Sequence, residues 1–305
     1  FGQASNYFIQ FDYDQQNYRL SNFEYRWKPT SKLQINIGQL RPQTGRQWWT
    51  ISKYFQMVDR SIVSRYFMVG YDRGMTFSYK NNLFNQSAFK LAGGITHGEG
   101  INQQMGAGGL AYSGRIDVLP FGFFNNNGDI IESDLYREPE PKLSVGTAFY
   151  HNQDAHRTQG MEDLQSMNSI ITTFYVDAVF KYRGFSALGE FISRDVTNPM
   201  ITDLNTGDQR LAAKNGGTGF SMQMGKFLTK HVESTARISF LDPDDASMEA
   251  ANRFTFKEKY TLGLNYFFIG HSLKIQSEMS FVEEEYAGRK PFDYVEFLMQ
   301  FSISF

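Results

Sequence analysis

From Val295 to the chain end the sequence reads VEFLMQFSISF, and its apolar residues fall on every second position: Val295, Phe297, Met299, Phe301, Ile303 and Phe305. Glu296, Gln300, Ser302 and Ser304 lie between them, with Leu298 the one apolar interruption. A period of two over that length is a strand with one oily face and one wet face. At a chain end such a strand is an aggregation hazard in water unless its oily face and its edge are covered. The pattern recurs upstream. In HSLKIQSEMSF, Leu273, Ile275, Met279 and Phe281 alternate with Lys274, Gln276, Glu278 and Ser280, and KYTLGLNYFF and HVESTARISF repeat the scheme. About fourteen such segments can be read, most of about nine to twelve residues, the length a tilted strand needs to cross an outer membrane.

Composition decides what the oily faces meet. Hydrophobic residues make up 41% of the 305 and aromatics 16%, while mean hydropathy is negative. No run of about eighteen apolar residues exists, so membrane helices are excluded. Abundant aromatics in a polar chain suit a barrel whose strands alternate between lipid and water. The net charge of -2 points to no nucleic-acid partner. With no cysteine, neither a disulfide framework nor a thiolate metal site is available. The chain opens at Phe1 without a methionine or a signal segment, which reads as processing or truncation.

The connections add an asymmetry. Tight turns at 28-31, 182-185, 228-231 and 269-272 alternate with longer polar stretches at 41-71, 97-108, 153-168, 195-216, 241-254 and 283-291. Two links break the rule, a brief one near Asp14 and Asn17 and a long one at 122-141. If the last strand descends to the periplasm, the tight turns are periplasmic and the long loops external, as in bacterial outer-membrane barrels. No linker divides the chain, and a short helix within 48-66 is the one expected departure from strands. The expectation is a single antiparallel transmembrane β-barrel over residues 1-305, integral to a bacterial outer membrane, with lipid and lipopolysaccharide around it. Its lipid face includes Leu264, Ile275, Met279, Phe297, Phe301 and Phe305; Asn265, Gln276, Glu278 and Gln300 face the lumen.

The stretch at 33-79 resembles the phosphate-selective porin O/P family of outer-membrane porins. It carries Gly38-Gln39 at a strand end, Pro42 entering a long loop, the acidic-Arg-Ser step Asp59-Arg60-Ser61, and Asp72-Arg73-Gly74 opening the next strand, with the Asp-Arg order reversed from the family's. LNYFFIGHSLKIQSEMSF at 264-281 looks like the family's penultimate hairpin, and richness in Asn, Tyr, Phe and Lys is similar to members from the Bacteroidota. The resemblance implies a barrel of about sixteen strands with a long loop folded inward as a constriction. An N-terminal hairpin would then be missing here; a complete fourteen-stranded barrel is the alternative. It also implies a homotrimer, while Phe305, ending an alternating strand, is the kind of terminal residue that outer-membrane barrels display to the barrel-assembly machinery.

The loop at 41-73 carries Arg41, Arg46, Lys53, Arg60, Arg65 and Arg73 against Asp59 and Asp72. Folded into a lumen, that surplus would concentrate anions and offer forked donors to phosphate or carboxylate. The plainer alternative pairs some of them with strand carboxylates such as Glu24 or Glu190, which would only pin the loop. Trp48, Trp49, Tyr54 and Phe55 are read as packing against the wall rather than as a slide for sugars. Lumen charges are mixed: Arg115, Arg194, Arg237, Lys259 and Lys274 face Glu190, Glu233, Glu278 and Glu296, either as a transverse field or as wall-stiffening pairs. The acidic runs at 242-245 and 283-285 match no calcium loop. His97, His151, His156, His231 and His271 lack ligand spacing, and no catalytic set stands out. Neither cofactor nor metal nor enzyme is expected. The sequence reads as a channel for passive diffusion of small solutes, anions such as phosphate foremost; a scaffold barrel anchoring a surface-layer or secretion partner is the alternative.

Overall fold

Alternation becomes strand throughout the computed structural model, which describes residues 4-14, 17-84, 86-102, 109-155, 169-197, 200-202, 209-211, 216-244, 254-286 and 289-304. The strands are β1 (Ser5–Asp14), β2 (Asn17–Trp27), β3 (Leu33–Leu40), β4 (Asp72–Asn82), β5 (Ala88–Thr96), β6 (Ala111–Leu119), β7 (Lys142–Ala155), β8 (Ser169–Tyr182), β9 (Phe185–Val196), β10 (Met200–Thr202), β11 (Gln209–Leu211), β12 (Gly217–Phe227), β13 (Val232–Pro243), β14 (Phe254–Ile269), β15 (Leu273–Tyr286) and β16 (Phe292–Ile303). Fourteen form one antiparallel sheet in chain order, each paired with its sequence neighbour, while β10 and β11 make a separate hairpin within the loop after β9. The sheet is open: among the described residues β1 and β16 lie at its two ends and do not pair. The closure expected to hide the last strand's edge is therefore absent from these residues, and Phe305, the expected assembly signal, lies outside them.

Register confirms the two faces. Leu262, Leu264, Met279, Phe297 and Phe301 are exposed on the outer face, and Ile275 is half-buried there. Between them, Asn265, Gln276 and Glu278 are buried on the inner face. Hairpin chemistry sets the tight turns: Arg183 and Gly184 both have positive φ, 46° and 78°, the two-residue turn whose twist matches the flanking strands.

The short-turn end receives the links at 28-32, 83-87, 183-184, 228-231 and 270-272, with the long link 120-141 beside them. The opposite end receives the loop at 41-71, which holds α1 (Arg46–Trp49), a 3-10 turn (Ser52–Tyr54) and α2 (Ile62–Tyr66). These short helices match the one helical expectation. Both long segments turn inward. Trp48, Val63, Phe67 and Val69 of the loop form an apolar cluster with Tyr175, Ile192 and Leu241 of the wall.

Candidate functional site

The loop at 41-71 enters from the long-loop end and runs down to the short-turn end. Its apex is tied to the turn between β14 and β15, where the Tyr54 ring meets His271 edge-on at 5.3 Å. The limb that climbs back is held by inner-wall side chains that grip its backbone. Lys274 and Gln276 donate to the Phe55 carbonyl at 2.8 and 3.1 Å. Asn265 donates to the Gln56 carbonyl at 2.7 Å, Arg237 to the Asp59 carbonyl at 2.8 Å, and Glu278 accepts from the Val58 amide at 2.9 Å. Higher up, Arg194 donates to the Phe67 carbonyl.

Small residues on the inner face of β12 make room for this limb. A Cβ on Gly225 would lie 2.0 Å from Gln56 Nε2, and one on Gly219 would lie 2.7 Å from Val63. The tryptophans and Phe55 also behave as packing: Trp48 and Phe55 are buried, and Trp49 is half-buried.

The basic residues of the loop separate into different fates. Arg46, expected in the anion path, is buried and neutralised: it donates to Asp177 and Asp117 at 2.5 Å each and to Ser144 at 3.0 Å. Arg115 shares both aspartates, through bonds of 2.6 to 3.0 Å, and also donates to the Thr44 carbonyl. The four side chains form a closed ionic cluster that fixes the descending limb. Arg73 is corrected as well. It is exposed and shares the strand parity of Met75 and Phe77, so it points away from the lumen. Lys53 sits at the apex, with its ammonium 5.8 Å from the Tyr54 ring. Arg65 is exposed and ion-paired to Asp59 at 2.8 Å.

Arg41 and Arg60 differ from all of these. Their guanidinium bonds in the described structure end on the carbonyls of Gln47, Trp48 and Thr50 and on the Tyr71 hydroxyl, not on a carboxylate, while the Arg60 backbone amide donates to Asp59 at 2.8 Å. Both guanidiniums lie over the Trp48 ring, at 5.1 and 4.9 Å, a geometry that arginine's flat, weakly hydrated head favours. Burial, and then the neighbouring Arg41 charge, push the Arg60 guanidinium down to about 10. They face a cavity of about 370 Å³ that opens between the loop and the ends of β1 and β2, with Gln10, Asp12, Arg19, Asp59 and Arg65 also on its walls.

A second cavity of about 250 Å³ lies toward the short-turn end, against β2 to β6, and is lined by Lys28, Lys32, Lys80 and Lys90 with Trp49 at its upper side. Lys90 is bonded to Asp129. The consecutive residues Trp48 and Trp49 thus border the upper and lower cavities in turn.

The remaining expected lumen residues keep their face but not their role. Arg237, Lys274, Gln276 and Glu278 do not line either cavity; they hold the loop, as does Arg115, a buried side chain that also borders the lower cavity. Lys259 pairs with Glu296 at 2.6 Å across β14 and β16, a wall-stiffening pair. Gln300 lies opposite the buried Gln276 yet is itself exposed, on a strand that has β15 as its one partner among the described residues. His156 and part of the acidic run at 242-245 lie outside the described residues, and among the described residues no cluster suited to a metal ion occurs.

Asp129 and Glu132 were not anticipated. They belong to the link at 120-141, and the available signal was that link's break with the short-long alternation of turns.

No protein-family model matches the chain, and no curated protein matches it in sequence. Solved structures do. The chain is similar to OprB of Pseudomonas putida (TM-score 0.57, 9% identity, 94% of this chain and 74% of that one). It is similar to OmpT of Vibrio cholerae, an outer-membrane protein in its trimer form (0.53, 10%, 90% and 74%). It is also similar to the outer-membrane channel DcaP of Acinetobacter baumannii (0.52, 10%, 95% and 77%). At such identities the likeness is one of fold, and the fold is that of an outer-membrane β-barrel.

Proposed function

We propose that this protein is an outer-membrane porin through which small solutes diffuse passively, and that anions, phosphate among them, are preferred. The observation that carries the reading is the pair Arg41 and Arg60: two adjacent guanidiniums that face a cavity and, among the described residues, form no ion pair with a carboxylate, although Asp12 and Asp59 share the cavity wall. Like charges held this close in a partly dry recess lower the energy of any anion that enters between them. The cavity below adds Lys28, Lys32 and Lys80 along β3 to β5, beside Lys90, which is paired to Asp129, and Asp117, which is paired to Arg46 and Arg115. The path therefore runs between the inward loop and the early strands, and the constriction lies at Trp48 and Trp49. Phosphate-selective porins, which the 33-79 stretch resembles, supply the solute class; the trimer form of the Vibrio OmpT supports a trimer here too.

The test is a reversal potential in a salt gradient across a planar bilayer. Arg41→Gln with Arg60→Gln should move it away from anion preference, while Arg65→Gln, already paired, should move it little. An unchanged potential in the double variant would sink anion selection by this pair. The dense packing of the loop against β7 to β15 favours one other reading, a scaffold barrel with incidental conduction. Absence of measurable conductance in the wild type would select it.

A further inference from the structure

The link at 120-141 joins β6 to β7 at the short-turn end, where every other described connection spans a few residues. Its residues nevertheless turn inward: Phe124, Asp129, Ile131, Glu132, Ser133 and Asp134 are all buried. It is tied down at both sides. Lys181 donates to the carbonyls of Ile131 and Ser133 at 2.6 and 2.7 Å, and the Gly184 amide donates to Asp134 at 2.6 Å. Arg137 donates to the Thr229 carbonyl at 2.6 Å in the turn between β12 and β13. The segment is therefore a fixed hook rather than a slack loop.

The hook grips the apex of the loop that descends from the opposite end. Glu132 accepts from the Gln56 amide at 2.8 Å and from Gln47 at 3.1 Å, while its own amide donates to the Tyr54 carbonyl at 3.2 Å. The Asp129 carbonyl accepts from Arg46 at 3.0 Å. Gln223 on the wall donates to the same Glu132 carboxylate at 2.9 Å. A carboxylate that takes three N–H donors in a buried place is a strong junction, since removing it leaves those donors unsatisfied.

We infer that this hook is a second constriction element, and that Glu132 is the positioning residue that sets the bore by clamping the loop apex from the periplasmic side. Without the hook, the apex at 52-56 would be held from one side only, by Lys274, Gln276 and Asn265 of β14 and β15, and would lose the clamp that fixes its distance from β1 to β5, where the cavities lie. With it, the lumen along β7 to β15 is filled, and solutes are confined to the basic side. The bore is thus defined by two segments that enter from opposite faces of the membrane. The conductance arm of this inference rests on the channel reading above; the cross-link arm does not.

Two measurements test it. Glu132→Ala, in barrels shown to be folded by their heat-modifiable gel mobility, should raise single-channel conductance by about twofold or more, because a freed loop widens the path. In a chain without native cysteine, Tyr54→Cys with Glu132→Cys should form an intramolecular disulfide, since backbone groups this close bring the Cα atoms within bridging range. Conductance of that variant should be raised when reduced and return toward wild type when oxidised. A silent wild type with a conducting Glu132→Ala would support the clamp and sink the open-channel reading. Equal conductance of the two folded barrels, silent or not, or failure of the disulfide to form, would overturn the clamp.

Discussion

The two halves of this barrel are written in one alternating code and used in opposite ways. On the wall from β7 to β15 the inner polar residues are buried, and they spend their hydrogen bonds on the loop backbone and the hook. On the wall from β1 to β5 several inner residues, such as Asn36 and Thr76, are buried too, but Gln10, Asp12, Arg19, Gln34, Lys80 and Lys90 border the two cavities, with Lys28, Lys32 and Lys80 exposed. A charge count over the loop treats Arg46 and Arg60 as equals. One is cancelled by two aspartates and the other meets carbonyls and an aromatic face. The lesson is that folding divides a basic surplus into charges locked in ion pairs and charges held by carbonyls and rings, a division that a count cannot see.

The sharpest way to break the comparison is to remove the buried ionic cluster on the packed side. Arg46→Ala leaves Asp117 and Asp177 with Arg115 alone in a dry site, and should cost about 3–5 kcal/mol in denaturant unfolding from detergent or lipid. A loss within the error of the measurement would show that Arg46 is not a structural pin. Next in size is the lipid face. Leu262→Arg, near the middle of β14 and exposed on its outer side, should cost about 2–4 kcal/mol by the same measurement. Gln300→Arg, exposed on β16, should be tolerated. Comparable losses at both positions would mean that the faces are misassigned. Asn265→Arg would not serve as that control: the residue is buried and gives its amide to the loop. The smallest effect is expected at the Lys259 and Glu296 pair, which holds wall to wall without touching the loop. Lys259→Gln should cost about 0.2–1 kcal/mol, as expected of a partly exposed ion pair. A loss as large as that of Arg46→Ala would erase the distinction between clasp and stiffener.

Much of this architecture was legible in the chain. Period-two spacing gave the strands, the outward set from Leu264 to Phe301, the inward set from Asn265 to Glu278, and the fourteen-stranded sheet. The tight turns identified one end. Two observations in the sequence went unread. The long link at 122-141 broke the turn alternation without being taken for an inward segment. The inner face of β12, with Gly219, Ser221, Gln223 and Gly225 in succession, was small enough to invite another chain segment against it. Arg73 shows the limit of counting by loop: one residue into a strand, parity decides the direction of a side chain, and it sends this one outward.

What the sequence determined by itself is local: which residues alternate, where the chain turns, and which face of each strand rejects water. These follow from spacing, because a strand's side-chain direction repeats every two residues whatever lies elsewhere. What only the tertiary structure decided is which charges survive folding. Arg46 meets Asp117 and Asp177 across 71 and 131 residues of chain, and Gln47 meets Glu132 across 85. No period encodes those encounters. They exist because two long segments enter one lumen from opposite ends, where desolvation makes every buried charge and amide seek a partner.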